Sequence, residues 1–182
     1  MSKRFFDIVF ASFFLLLFGW VIVVGYILAS IDTQSNGFFL QKRVGQYGKL
    51  FTIYKLQTIH PKTQKISAMG QFLRKYKVDE LPQFINVLIG NMSVVGPRPD
   101  IVGYYDKLEG EDRKVLNLKP GITSLASIKY ANEEYLLSEQ KEPLKYNDEV
   151  IFPDKVKMNL DYYYNRNFWM DLKIIIKTIF KR

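Results

Sequence analysis

Two adjacent carboxylates, Asp79 and Glu80, stand just before a Leu-Pro step and an apolar run, in residues 77–99, KVDELPQFINVLIGNMSVVGPRP. If the run is helical, they lie at its N-terminus. Free N–H groups and the positive end of the helix dipole there keep a carboxylate ionised and attract phosphate. An ionised aspartate in that setting can attack phosphorus, and a carboxylate pair can hold Mg²⁺. The same residues also read as an ordinary N-cap, Asp79, followed by a first-turn Glu80, with Pro82 where its missing N–H costs little. Upstream, residues 33–78 hold nine Lys or Arg and no Asp or Glu. Two acids facing so basic a segment suit chemistry on phosphates.

Other candidates are weaker one at a time. Arg98 sits between Pro97 and Pro99, which fix the backbone and can aim a guanidinium fork at a diphosphate; Pro-Arg-Pro also makes a rigid surface turn. Lys55 and Arg74 are further phosphate-binding candidates, each otherwise a solvated charge. His60 is the single histidine in a chain without cysteine, so it reads as a loop residue and is assigned no metal. Gly45 to Lys49 forms a GxxGK, but Leu50 replaces the hydroxyl residue of a Walker motif, which leaves a turn.

The elements that must position these residues are short. Residues 38–55, FFLQKRVGQYGKLFTIYK, predict a hairpin around a Gln-Tyr-Gly turn. Residues 67–77 predict a helix with Phe72 and Leu73 inward and Arg74, Lys75 and Lys77 outward. Asp79 then caps a helix running to about Ile89 and stopping at Gly90-Asn91. Pro120-Gly121 opens a second loop, and residues 137–153 read as a polar surface excursion.

Residues 8–31 carry no charge and are dominated by Phe, Leu, Ile and Val. A helix of that length crosses a hydrocarbon core of about 30 Å. A cleavable signal peptide is the alternative, but the run is long for one and no small-x-small site follows. Positive charge on both flanks is satisfied by a re-entrant helix-break-helix, which Gly19 and Gly25 could loosen without forcing a break; a single span with the N-terminus outside also keeps the larger basic cluster inside, and charge alone does not choose between them. Residues 167–182 space Lys173, Lys177 and Lys181 at i, i+4 and i+8 opposite Phe168, Trp169, Leu172, Ile175, Ile176 and Ile179. This pattern fits an interfacial amphipathic helix or a core helix with a lysine edge. The net charge of +8 fits an anionic partner: nucleic acid, a phosphorylated substrate or an anionic lipid surface. No recognition helix or RNA-binding motif appears, so nucleic acid is not expected as a partner.

Taken in order, the Lys-Arg-Phe-Phe-Asp start with its apolar segment, QKRVGQYGKLFTIYK, DELPQFINVLIGNMSVVGPRP, PGIT and FWMDLKIIIKTI resemble the bacterial sugar transferase family, small monotopic phosphoglycosyl transferases acting on polyprenyl phosphate. The resemblance covers nearly the whole chain. It implies transfer of a sugar-1-phosphate from a UDP-sugar to polyprenyl (undecaprenyl) phosphate, with release of UMP, at the cytoplasmic face of the bacterial inner membrane. It implies Asp79 as covalent nucleophile, Glu80 as metal holder or proton acceptor, Lys55, Arg74 and Arg98 on phosphate, and Mg²⁺ as cofactor. Two positions depart from the family: Gly19-Trp20 replaces the Ser-Pro that kinks its membrane helix, and Gln57 replaces an arginine.

The expected fold is a mainly helical α+β monotopic membrane protein. A membrane-inserted segment, residues 1–34, precedes a catalytic domain, residues 35–182, built on a short β-hairpin and amphipathic interfacial helices. A non-catalytic scaffold for anionic lipid is the rival reading.

Overall fold

The computed structural model describes residues 2–180. Lys181, the last lysine of the expected C-terminal series, lies outside the described residues. The fold is mainly helical with two small two-stranded sheets. The chain forms two compact units, one from residues up to Arg43 with Leu50–Val94, the other from Val44–Lys49 with the chain from Val95 onward. The N-terminal helix therefore belongs to a unit that also contains residues beyond 34.

In the first unit, α1 (Lys3–Thr33) is one unbroken helix of 31 residues. The break expected at Gly19-Trp20 is not present. A lone glycine removes no backbone hydrogen bond, and without proline the ladder continues. Both ends of α1 are tied to this unit. Arg4 donates to the carbonyls of Val87 and Leu88, each at 2.6 Å. Asp7 is buried and accepts from the Ser93 hydroxyl at 3.0 Å and the Val94 N–H at 2.9 Å. The Phe14 and Phe84 rings stack with centroids 3.9 Å apart. At the far end, Ser67 donates to Asp32 at 2.6 Å.

The seam between these anchors uses small residues. Ala11, Gly25 and Ala29 are buried, and a Cβ on Gly25 would come within 2.7 Å of Leu56 Cδ1. The opposite flank of α1 exposes Phe13, Leu16, Trp20, Val23, Ile27 and Ile31.

The hairpin forms as expected, β1 (Phe38–Val44) pairing with β2 (Leu50–Leu56). Ala29, Leu56 and Leu73 make a core with Tyr26, Phe38, Met69 and Val78. Helix α2 (Ala68–Lys75) starts on Ser67, whose hydroxyl accepts the Gly70 N–H at 2.9 Å. It buries Leu73, but Phe72 is 53% exposed. Neighbouring helical positions diverge by about 100°, so a narrow contact takes only one of the two. Helix α3 (Gln83–Ile89) stops at Gly90 in the left-handed region, φ 93°, the ordinary helix stop.

The chain enters the second unit along β3 (Ser93–Val95), paired with β4 (Gly121–Thr123). Beyond β3, the Gly96 N–H donates to Thr123 O at 3.0 Å and the Gly121 N–H to Pro97 O at 2.8 Å. A Cβ on Gly96 would lie 2.2 Å from Lys119 O, and one on Gly121 2.1 Å from Gly96 N. GPRP and PGIT are thus two halves of one close backbone crossing.

Val44, Tyr105, Val115, Leu116 and Val156 form the core of this unit, with Leu108, Phe152 and Leu160 packed against it. Short helices α4 (Leu125–Lys129), α5 (Glu133–Ser138) and α6 (Pro143–Tyr146) lead into α7 (Phe152–Asn165) and α8 (Phe168–Phe180). The expected excursion at 137–153 is largely helical. A π turn at Asn147–Ile151 continues into α7 and drives Ile151 to 0% exposure, while Pro143 and Pro153 sit in first turns that tolerate them. Helix α8 starts on Asn167, which accepts the Met170 N–H at 2.9 Å. It buries Asp171, Ile174 and Ile175 and exposes Trp169, Ile176, Ile179 and Phe180. One apolar edge packs while another stays open.

Candidate active site

Asp79 is not an N-cap. It lies in the middle of a tight 3-10 turn, Val78–Glu80, while Pro82 heads α3 with no side-chain cap. The cause is Lys77, held in the left-handed region at φ 56° and ψ 23°. That reversal starts a separate turn ahead of α3 and directs the Asp79 carboxylate inward. The residue is 7% exposed, and Oδ1 has no hydrogen-bond partner among the described residues. A buried carboxylate oxygen without a donor is costly and therefore uncommon.

Burial, and then the neighbouring Glu80, push the Asp79 carboxyl above the ordinary carboxylate range; Lys55, Lys77 and Arg74 pull it back. Three cations thus supply positive potential at a carboxylate that no donor neutralises. Lys55 Nζ lies 3.0 Å from Glu80 Oε1, both side chains being largely buried. Arg74 donates Nε to Thr58 Oγ1 at 2.9 Å, which fixes the guanidinium plane.

Lys55, Arg74, Asp79 and Glu80 thus belong together in the first unit. Arg98 belongs to the second, exposed between the buried Pro97 and Pro99. His60 shapes its loop, its Nδ1 accepting the N–H groups of Lys62 at 3.2 Å and Thr63 at 3.3 Å. Gln57 donates to the Ile59 carbonyl.

Three supporting residues escape the sequence reading. Asn86 is fully buried on α3; its Oδ1 accepts the Tyr54 N–H at 3.0 Å and its Nδ2 donates to Thr52 O at 2.8 Å. It grips β2 on the turn of strand that carries Lys55. A polar residue on the buried face of FINVLI was the available signal. Thr58 and Lys77 gave none, since their roles follow from the fold. Asp79, through its unpartnered Oδ1, and the adjacent Glu80 are the residues that could hold a small hard cation, which would take its other ligands from water and substrate phosphates.

Over residues 1–182 the chain matches the family described as bacterial sugar transferase, and it belongs to that family. It is 34% identical over 197 residues to a Klebsiella pneumoniae protein named UDP-glucose:undecaprenyl-phosphate glucose-1-phosphate transferase, covering 98% of this chain and 39% of that protein. It is 32% identical over 203 residues to galactosyl transferase CpsE of Streptococcus agalactiae serotype III (strain NEM316), covering 98% and 41%. It is 31% identical over 189 residues to the uncharacterized sugar transferase EpsL of Bacillus subtilis (strain 168), covering 98% and 86%. The chain thus spans most of EpsL and about two fifths of the other two.

Proposed function

We propose that this chain transfers a sugar-1-phosphate from a UDP-sugar to polyprenyl phosphate, releasing UMP and initiating glycan assembly on the cytoplasmic face of the inner membrane. The single observation that carries the chemistry is the buried, unpartnered Oδ1 of Asp79 amid Lys55, Arg74 and Lys77. The names of two relatives, which specify glucose-1-phosphate and galactosyl transfer, support a sugar-phosphate donor and leave the sugar open.

In this reading an Asp79 oxygen attacks the phosphorus that bears the sugar. A new carboxylate–phosphorus bond forms as the bond to the bridging oxygen breaks, and UMP leaves with that oxygen. An oxygen of polyprenyl phosphate then attacks the same phosphorus and displaces the Asp79 carboxylate, leaving a polyprenyl diphosphate-linked sugar. Glu80 accepts the acceptor's proton when that phosphate arrives protonated, and otherwise helps hold the cation. Lys55 and Arg74 oppose the charge that builds when an anion attacks a diphosphate; the phosphate role of Arg98 rests on the family resemblance alone. Mg²⁺ held by Asp79 and Glu80 would withdraw charge from the diphosphate oxygens.

Helix α1 lies in the bilayer with its Phe13–Ile31 flank toward lipid, and the protein is monotopic. Its anchors, Arg4 on α3 and Asp32 on Ser67, tie both ends to the unit that carries Asp79, which argues against a span. Because the chain has no cysteine, Ser2→Cys can be labelled alone. Labelling from outside intact cells would overturn the monotopic placement, and protection until the cells are permeabilised is expected.

The test of the reaction is UMP release from a panel of UDP-sugars with polyprenyl phosphate and Mg²⁺. Wild type is compared with Asp79→Asn, and the protein's intact mass is followed for a phospho-sugar adduct. Release that requires Asp79 is expected, with an adduct when the acceptor is withheld; full activity in the variant would overturn the covalent scheme.

A further inference from the structure

Phe72 and Tyr76 stand open on α2, 53% and 52% exposed, with ring centroids 4.8 Å apart. The face of the helix that carries Leu73 is already packed, so this aromatic pair serves no core. Lys75 Nζ lies 5.6 Å from the centre of the Tyr76 ring, and Lys62, Lys65 and Lys77 are exposed on the flanking loop and turn. No acidic residue occurs anywhere in residues 33–78, and Asp32, the acid that meets the start of α2, is engaged by Ser67.

The position of α2 is set by α1. Ser67, which caps α2, donates to Asp32 in the last turn of the apolar helix. Helix α2 therefore starts beside the end of the apolar run, where the chain turns polar, and so lies at the edge of any bilayer that holds α1. Aromatic rings with an apolar body and lysines that reach toward phosphate are the residues that a membrane interface selects. We propose that α2 and the loop before it are a seat for anionic phospholipid headgroups, with Phe72 and Tyr76 inserted at the interface and Lys62, Lys65 and Lys75 on the lipid phosphates. A protein partner would have to bring acidic groups to meet this rim, whereas an anionic leaflet presents them everywhere. The seat rests on the bilayer placement of α1 and not on the proposed reaction. Its consequence for the site is positional: Arg74 is on the same helix, and Asp79 follows it by five residues.

The full chain is reconstituted in nanodiscs of phosphatidylcholine with or without phosphatidylglycerol. Phe72→Cys and, separately, Tyr76→Cys are labelled with a polarity-sensitive fluorophore. In discs containing phosphatidylglycerol, quenching by headgroup-level nitroxide lipid and shielding from aqueous iodide are expected. Pure phosphatidylcholine, or the triple change Lys62→Gln, Lys65→Gln and Lys75→Gln, should reverse both, each lysine being worth about fivefold in partitioning. A label open to iodide in every lipid would overturn the seat. So would a label shielded from iodide and nitroxide alike, which would mean that protein, such as a second copy of this chain, covers the pair. Equal nitroxide quenching with and without phosphatidylglycerol would overturn the preference for anionic lipid. Trp20, made the sole tryptophan by Trp169→Phe, reports the insertion of α1 in the same discs, so a failed seat and a misplaced helix are told apart.

Discussion

Lys55 Nζ stands 3.0 Å from Glu80 Oε1, so a cation suggested for phosphate is engaged, in the unliganded protein, by the second of the two adjacent carboxylates. A diphosphate entering the site competes for that ammonium. The pair therefore sets the charge of the site before substrate arrives and offers Lys55 to phosphate only as the ion pair loosens.

Lys55→Ala is accordingly expected to take the ammonium away from a largely buried Glu80, costing about 1–3 kcal/mol of stability. It should also lower kcat for sugar-phosphate transfer about 10²-fold. Lys55→Arg should recover the stability more fully than the rate, since it restores the charge but alters its reach. Thermal unfolding and steady-state kinetics on the same preparations separate the two effects.

Asp79→Asn should lower turnover by about 10³-fold or more and raise stability at neutral pH. The sign follows from the raised folded pKa. Between the ordinary value of 3.8 and the higher folded value, the native state binds more protons than the unfolded state. Wild-type stability therefore falls as pH rises through that window, and above it the protein carries a buried charge. The asparagine variant should lack that slope in a series of melting temperatures against pH. In wild type, the acid limb of kcat/KM should lie above the ordinary carboxylate range.

Lys77→Gly divides backbone from charge. Glycine adopts φ 56° without the steric cost that a lysine meets there, a net gain of about 0.5–1 kcal/mol. Loss of the ammonium removes one of the three cations that favour the ionised Asp79, so the acid limb of the pH–rate profile should move upward. A variant that melts higher and needs a higher pH for the same rate is expected. An unshifted profile would count against an electrostatic role for Lys77.

Arg4→Ala should destabilise the first unit by about 1–3 kcal/mol, because it uncovers the terminal carbonyls of α3. Arg4→Lys keeps the charge that governs insertion but cannot fork across two carbonyls. It should insert like wild type in a membrane fractionation and still melt lower.

Much of this fold is legible in local pattern. The apolar run, the hairpin around Gln46-Tyr47-Gly48 and the stop at Gly90 each depend on residues within a few positions of one another. The departures depend on distant contacts. Whether Asp79 caps α3 or occupies its own turn hinges on one dihedral at Lys77, a residue with no intrinsic preference for it. Phe72 and Leu73 are equally apolar, and only the width of the contact with Ala29 and Leu56 decides which is buried. Arg4, beside an apolar helix, reads as a topology signal, yet its partners lie 83 and 84 residues away. Among the candidate site residues, Asp79, Glu80, Lys55 and Arg74 stand out in the sequence by charge and take their expected roles from the family resemblance, whereas Asn86 and Thr58 support their neighbours through contacts that no spacing rule exposes.

The clamp that Arg4 and Asp7 place on the end of α3 and the start of β3 also fixes an order of assembly. Helix α1 is synthesised before its partners, and the carbonyls of Val87 and Leu88 meet their donor only when the chain has folded back across more than eighty residues to Arg4. Helix α3, with the Asn86 that braces β2, is thus held from the opposite end of its unit's sequence. Trimming the first turn of α1 would loosen the support behind DELPQ without altering one of its letters.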